Sequence, residues 1–212
     1  MSNHYKNVSH DISRAILAKK PNTLLIFPPE ADGVSLLTQI RRIGCIAEIC
    51  WPPPVYIDKK IDLIFLWMQP VAEPLEYEWL LEGGPPIISV SNFDSPTLID
   101  EAARIGVMNI LIAPIRAAGL LSTIVITIHQ AEKNSRKSHR IAQLENKILN
   151  LKTLEEAKSI LIRKQNITEV EVYEMIRSQA MLQRVSVQDI AREIVQSERT
   201  LSRIIGVSPK SV

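Results

Sequence analysis

Cysteine is almost missing from this 212-residue chain, which has only Cys45 and Cys50. They stand five apart in an apolar stretch without the further ligands of a zinc site, and two thiols are too few for a disulfide framework. They read as free thiols of a reducing cytoplasm. Long apolar runs are also lacking. Nothing before Pro21 has the apolar stretch of a signal peptide, and "GLLSTIVITIHQ", residues 119–130, is too short and too polar at its flanks to cross a bilayer. No membrane role is expected. The four histidines, His4, His10, His129 and His139, have no serine, cysteine or carboxylate at a recognisable catalytic spacing. Neither an enzyme nor a cofactor follows. From Arg116 to Gln165 there is no proline and only one glycine, Gly119, so nothing stops a helix there.

What is present describes an ordinary globular chain, 46% hydrophobic and 23% charged, long enough for one large domain or two small ones. The charge is uneven. Residues 1–130 carry a net −3 and residues 131–212 a net +5, which suits a sensing half joined to a half that meets a polyanion.

After a polar, basic lead-in (1–20), near-continuous apolar runs alternate with amphipathic stretches: "TLLIF", "IAEICW", "IDLIFLW", "PIISVS" and "VMNILIA". Runs of this length suit parallel strands covered on both faces. Between them, Val34, Leu37 and Ile40 keep a helical period that ends at Gly44. A second helix opens with Ser95 as N-cap and Pro96 at its first position and closes at Gly106. A third, containing Leu80 and Leu81, stops at the turn Gly83–Pro86. "PPPVYIDKK" after the second strand cannot make a good helix, because three prolines fix φ and remove donors. The alternation predicts a flavodoxin-like, doubly wound α/β domain over residues 21–120, with a five-stranded parallel sheet. Leu121, Ile124, Val125 and Ile128 would pack on that sheet.

Over residues 121–153 the helix continues, and Ile141, Leu144, Ile148 and Leu151 repeat at spacings of 3, 4 and 3, a coiled-coil seam. A helix of ~50 residues is ~75 Å long, and one carrying this stripe wants a partner; a homodimer is expected. Residues 154–212 give three short amphipathic helices. The first includes Ala157, Ile160 and Leu161. The second starts at the capping box Thr168–Glu171 and carries Val172, Ile176 and Ala180; the third starts at Ser186–Asp189 and carries Val187, Ile190, Ala191 and Ile194. Such stripes can bury one another in an all-α, three-helix bundle.

These residues carry a resemblance. "RRIGCIAEICWPPP" (41–54) and "AKSILIRKQNITEVEVYEMIRSQAMLQR" (157–184) are similar to the ANTAR-domain antitermination regulators of the aliphatic-amidase type, in which a receiver-like domain precedes a three-helix RNA-binding module. A working receiver takes up a phosphoryl group with magnesium-binding carboxylates after strand one, an aspartate ending strand three, a hydroxyl after strand four and a lysine after strand five. The matching positions here are Pro28-Pro29, Trp67, Ser91 and Ala113. None but the serine has usable chemistry, so the resemblance implies a pseudo-receiver that takes no phosphoryl group. Glu30 and Asp32 are the carboxylates left nearby.

The resemblance further implies a cytoplasmic regulator that binds stem-loops in nascent leader RNA. A ligand-sensing protein of periplasmic-binding fold would control it, with Trp51, Pro52, Pro53 and Pro54 at that contact, where an aromatic can anchor an interface. For RNA the candidates are Lys158, Arg163, Lys164, Arg177 and Arg184 as phosphate partners, with Tyr173 to stack on a loop base. Two other readings stay open. "SVQDIAREIVQSERTLSRIIGVSP" (186–209) is similar to a DNA-binding helix-turn-helix, whose second helix would start near Glu198 and present Arg199, Thr200 and Arg203 to the major groove. A protein-docking adaptor without nucleic-acid binding is the other.

Overall fold

The computed structural model describes residues 12–69, 78–81 and 84–205; the lead-in up to residue 11, Gly83 of the predicted turn and the tail beyond residue 205 lie outside them. Five strands, β1 (Asn22–Ile26), β2 (Ile46–Cys50), β3 (Leu63–Trp67), β4 (Ile87–Ser91) and β5 (Asn109–Ile112), form one sheet. Its order is β2-β1-β3-β4-β5 and every pairing is parallel. Helices α1 (Gly33–Ile43), α2 (Glu78–Leu81), α3 (Pro96–Arg104) and α4 (Ala117–Gln165) follow β1, β3, β4 and β5 in turn, and α5 (Glu169–Gln183) and α6 (Val187–Ile205) come last. The chain forms two compact units, which divide between Arg136 and Lys137 within α4.

In the first unit, the two-residue period of the strands sorts side chains to opposite faces of the sheet. Leu25, Phe27, Leu63, Phe65 and Trp67 join Leu36, Leu37 and Ile40 of α1 and Leu120, Ile124 and Ile128 of α4 in one core. Leu24, Ile26, Ile64, Leu66 and Met68 join Trp79 of α2 and Leu98 and Ala102 of α3 in the other. Strands β3 and β4 are buried throughout, as continuous apolar runs require. The edge strand β2 is not, and Ile46 and Ile49 face solvent.

The helix boundaries follow the expected signals. The Ser95 hydroxyl accepts from Leu98 N at 3.3 Å with Pro96 beside it, and Gly44 takes the left-handed conformation (φ 108°) at the end of α1. No helix fills the proline-bearing segment between β2 and β3; the Trp79 indole N–H donates to the Pro54 carbonyl at 2.9 Å instead.

Several expectations are corrected. Val34 is exposed, and Leu36 fills the place on the buried face of α1. The helix expected to run unbroken from Arg116 is interrupted at Ala118 and Gly119 (φ 93°). The break resets the phase, so Leu120 is buried with Ile124, Val125 and Ile128 while Leu121 faces out. Within the polar lead-in, residues 12–18 are helical, and Ile16 enters the first core. Cys45 is buried but Cys50 only partly, and burial pushes both thiols up. No described helix is long and apolar enough to cross a membrane.

Candidate nucleic-acid interface

The second unit is built on residues spaced for close packing. Ala157 and Ile160 of α4, Val172, Ile176 and Ala180 of α5, and Ile190, Ala191 and Val195 of α6 form its core. The three alanines let the helix backbones approach and so fix the positions of the polar side chains around them. Both helix starts are reciprocally capped. Glu171 Oε2 accepts from Thr168 N at 2.9 Å while Thr168 Oγ1 accepts from Glu171 N. Asp189 Oδ2 accepts from Ser186 N at 3.2 Å while Ser186 Oγ accepts from Asp189 N at 3.1 Å. The Thr168 hydroxyl also donates to Glu171 Oε2 at 2.7 Å and the Ser186 hydroxyl to Asp189 Oδ2 at 2.6 Å; these bonds first, and the backbone ones second, hold the Glu171 and Asp189 carboxyls below their ordinary values.

The six RNA candidates fall into distinct groups. Lys158 is largely covered, with its ammonium on Glu155 (2.8 Å) and Glu169 (3.0 Å) and 5.7 Å from the centre of the Tyr173 ring. Hydrogen bonds to Glu155 and then Glu169 push its pKa up. Arg163 and Lys164 converge on Glu198 of α6, Arg163 at 3.6 Å and Lys164 closer. Tyr173 and Arg177 lie one turn apart on α5, with Arg177 3.5 Å from Glu174. Arg184 ends α5 in the left-handed conformation (φ 59°), exposed and with no ion pair among the described residues. The structure therefore brings Lys158 to Tyr173 and Arg163 to Lys164, but does not gather all six on one site.

Sequence reasoning missed two features of this unit. Met181, Leu182 and Val185 are exposed beside Arg184, a mixed apolar and cationic surface whose signal was the "AMLQRV" run itself. A groove of about 360 Å³, mostly apolar at its surface, is lined by Gln143, Asn146, Lys147, Asn150, Leu151 and Leu154 of α4 and Gln188 of α6. Upstream, the seam residues Ile141, Leu144, Ile148 and Leu151 are each at least half exposed in the single chain.

The helix-turn-helix reading fails on α6. One helix runs from Val187 to Ile205, and at the supposed turn Val195 is buried while the Thr200 hydroxyl donates to the Gln196 carbonyl at 2.9 Å within the helix. Arg199, expected in a major groove, pairs with Glu156 at 3.1 Å.

In the first unit the four residues expected at a partner contact differ in exposure. Trp51 and Pro52 are exposed, Pro53 and Pro54 only partly so. Val55 and Tyr56, which sequence reasoning passed over, are among the most exposed large apolar side chains of the unit, at 68% and 77%. The magnesium of working receivers does not fit the strand ends. Phe27 and Pro28 follow β1, Trp67 ends β3 and Ala113 follows β5, and none of these side chains can ligate a metal. Glu30 and Asp32 are exposed, the Asp32 carboxylate already accepts from Ser35 N at 3.1 Å, and no group of three potential metal ligands occurs among the described residues. The remaining hydroxyl, Ser91 Oγ, is buried and accepts from Phe93 N at 3.1 Å.

The family described as AmiR, N-terminal, matches residues 22–128, and the ANTAR domain matches residues 142–195. Over 178 residues the chain is 25% identical to the aliphatic amidase regulator of Pseudomonas aeruginosa, a match covering 82% of this chain and 91% of that protein. It is 23% identical over 112 residues to the transcriptional regulatory protein PdtaR of Mycobacterium tuberculosis, 53% of this chain and 55% of PdtaR. The response regulator StyR is similar in fold, with a TM-score of 0.50 at 15% identity over 84% of this chain and 99% of that one.

Proposed function

Because the chain belongs to the AmiR N-terminal family and carries an ANTAR domain, we propose that it is a cytoplasmic transcription antitermination regulator that binds stem-loops in nascent leader RNA. The observation that carries this reading is the coincidence of the ANTAR match with a separately cored, basic helical unit. RNA stem-loops are held through phosphate charge, loop-base stacking and shape. In this reading Arg163, Lys164, Arg177 and Arg184 meet phosphates and Tyr173 stacks on a loop base. Lys158, already held by two glutamates, positions Tyr173 and contributes charge.

The protein works without a catalytic step of its own. Its first unit is a docking platform, because the strand ends that would handle a phosphoryl group hold proline, tryptophan and alanine. Control passes instead to a ligand-sensing protein of periplasmic-binding fold, which grips the Trp51–Pro54 segment together with the exposed Val55 and Tyr56. Two copies pair through Ile141, Leu144, Ile148 and Leu151, placing two RNA-binding units in one assembly.

The test is fluorescence anisotropy of a labelled RNA carrying two short hexaloop stem-loops, against duplex DNA of the same length, over a salt series. RNA is expected to bind more tightly, with affinity falling as salt rises. Preference for the duplex overturns the assignment, and loss of all salt dependence points to a protein-docking adaptor. Arg163→Ala combined with Lys164→Ala should weaken RNA binding while leaving helicity intact.

A further inference from the structure

Helix α6 is longer than its core requires. Its last buried residue is Val195, and no described side chain after it is buried. The ANTAR match ends at the same position. Residues 196–205 nevertheless continue as about 15 Å of helix. Helices in proteins draw most of their stability from an apolar face packed on the rest of the fold, and these turns bury none in the bundle.

The extension carries charge, and the charge is sorted by sign. At about 100° per residue, Arg192, Arg199 and Arg203 fall within about 40° of one another around α6, and all three are exposed. The acids of the helix lie off this stripe, Asp189 and Glu193 to one side and Glu198 to the other.

Two bridges tie the extension to α4. Glu198 holds Arg163 at 3.6 Å and also Lys164, and Arg199 holds Glu156. Arg199 and Arg203, one turn apart, thus stand beside Arg163 and Lys164, and the cations outnumber the two carboxylates. Arg199 gives Glu156 only its Nη2, at 3.1 Å from each carboxylate oxygen, which leaves Nε–H and Nη1–H to donate elsewhere. Arg203 has no ion pair among the described residues. The guanidinium fork matches the oxygens of a phosphate, and arginine is the side chain suited to gripping them in pairs.

We propose that Arg199 and Arg203 extend the RNA surface of Arg163 and Lys164 along α6 and grip the phosphates of a stem. This track rests on the RNA reading above and adds residues that lie beyond the ANTAR match.

The test is anisotropy of the full-length chain with the two-stem-loop RNA over a salt series. Arg203→Gln should weaken binding several-fold and make the salt slope shallower by about 0.7–0.9, the share of one phosphate contact. Arg203→Lys should keep the slope. Arg199→Gln combined with Glu156→Gln leaves the net charge unchanged and should still weaken binding several-fold. Lys133→Gln, exposed in the first unit, removes one positive charge elsewhere and should change neither affinity nor slope. Circular dichroism checks folding, and the comparison of Arg203→Gln with Arg203→Lys serves alone should the paired variant unfold. Full affinity in Arg203→Gln or in the folded paired variant, with Arg163→Ala plus Lys164→Ala still weakening binding, overturns this track and leaves the RNA reading standing. An equal loss from Lys133→Gln overturns it as an effect of net charge, and a loss confined to duplex DNA overturns it in favour of that partner. Absence of salt-dependent RNA binding by the unaltered chain removes the RNA reading itself, and this track with it.

Discussion

Replacing Ile176 by alanine tests whether the second unit is held by its own core. Ile176 is 1% exposed and packs among Ala157, Ile160, Val172, Ala180, Ile190, Ala191 and Val195. Three of those seven neighbours are alanines, so the isoleucines supply much of the apolar volume. Truncating a buried isoleucine to alanine costs about 2–5 kcal/mol, transfer and cavity together. A unit spanning Lys137–Val212 has roughly 4–11 kcal/mol at ~0.05–0.15 kcal/mol per residue. A loss of about 3 kcal/mol therefore removes a large share of its stability and lowers the folding constant ~100-fold. The assay exploits the placement of the tryptophans. Trp51, Trp67 and Trp79 all precede Lys137, so their fluorescence follows the first unit alone, while far-ultraviolet circular dichroism follows all helices. In urea, Ile176→Ala should bring an early dichroism transition and leave the fluorescence midpoint where it was. Equal shifts in both signals, or none in either, would refute the claim of separate cores.

Thr168→Ala removes the reciprocal cap of α5 and should cost about 1 kcal/mol, read as a lower urea midpoint of the dichroism transition. Glu171 and Asp189 are held below their ordinary values of 4.5 and 3.8 by hydrogen bonds from Thr168 and Ser186. Their contribution is thus complete above those values and disappears as pH falls through the lower folded ones. The thermal midpoint of the bundle should be flat from about pH 7 to 5 and drop below about pH 4.5, with Glu171→Gln removing part of the drop. Glu198→Gln frees Arg163 and Lys164 from their shared carboxylate; RNA affinity should rise and its salt dependence steepen, checked by anisotropy. Ile148→Lys puts a charge in the exposed seam and should shift the molecular mass in sedimentation equilibrium from dimer to monomer.

Strands, sheet type and most helix starts were legible in the sequence because each depends on a local signal. Ser95-Pro96, Gly44 and the Thr168–Glu171 box speak through adjacent residues alone. Phase was harder to read. Leu120 and Leu121 are equivalent by composition, and only the break at Gly119 decides which is buried. Ile16 could not be placed from a polar lead-in, because its burial depends on a surface made by distant elements. The pairing of the basic residues was not legible. That Lys158 is held between Glu155 and Glu169, and that Glu198 serves both Arg163 and Lys164, follows from how the three helices meet.

Arg184 closes α5 in a backbone conformation that glycine adopts freely and an L-amino acid resists, by about 1–2 kcal/mol. A chain shaped for durability alone would carry glycine there. If its guanidinium meets a phosphate, as proposed above, hardiness and grip on a polyanion pull in opposite directions at this position. Arg184→Gly should accordingly yield a hardier protein that holds its RNA less well.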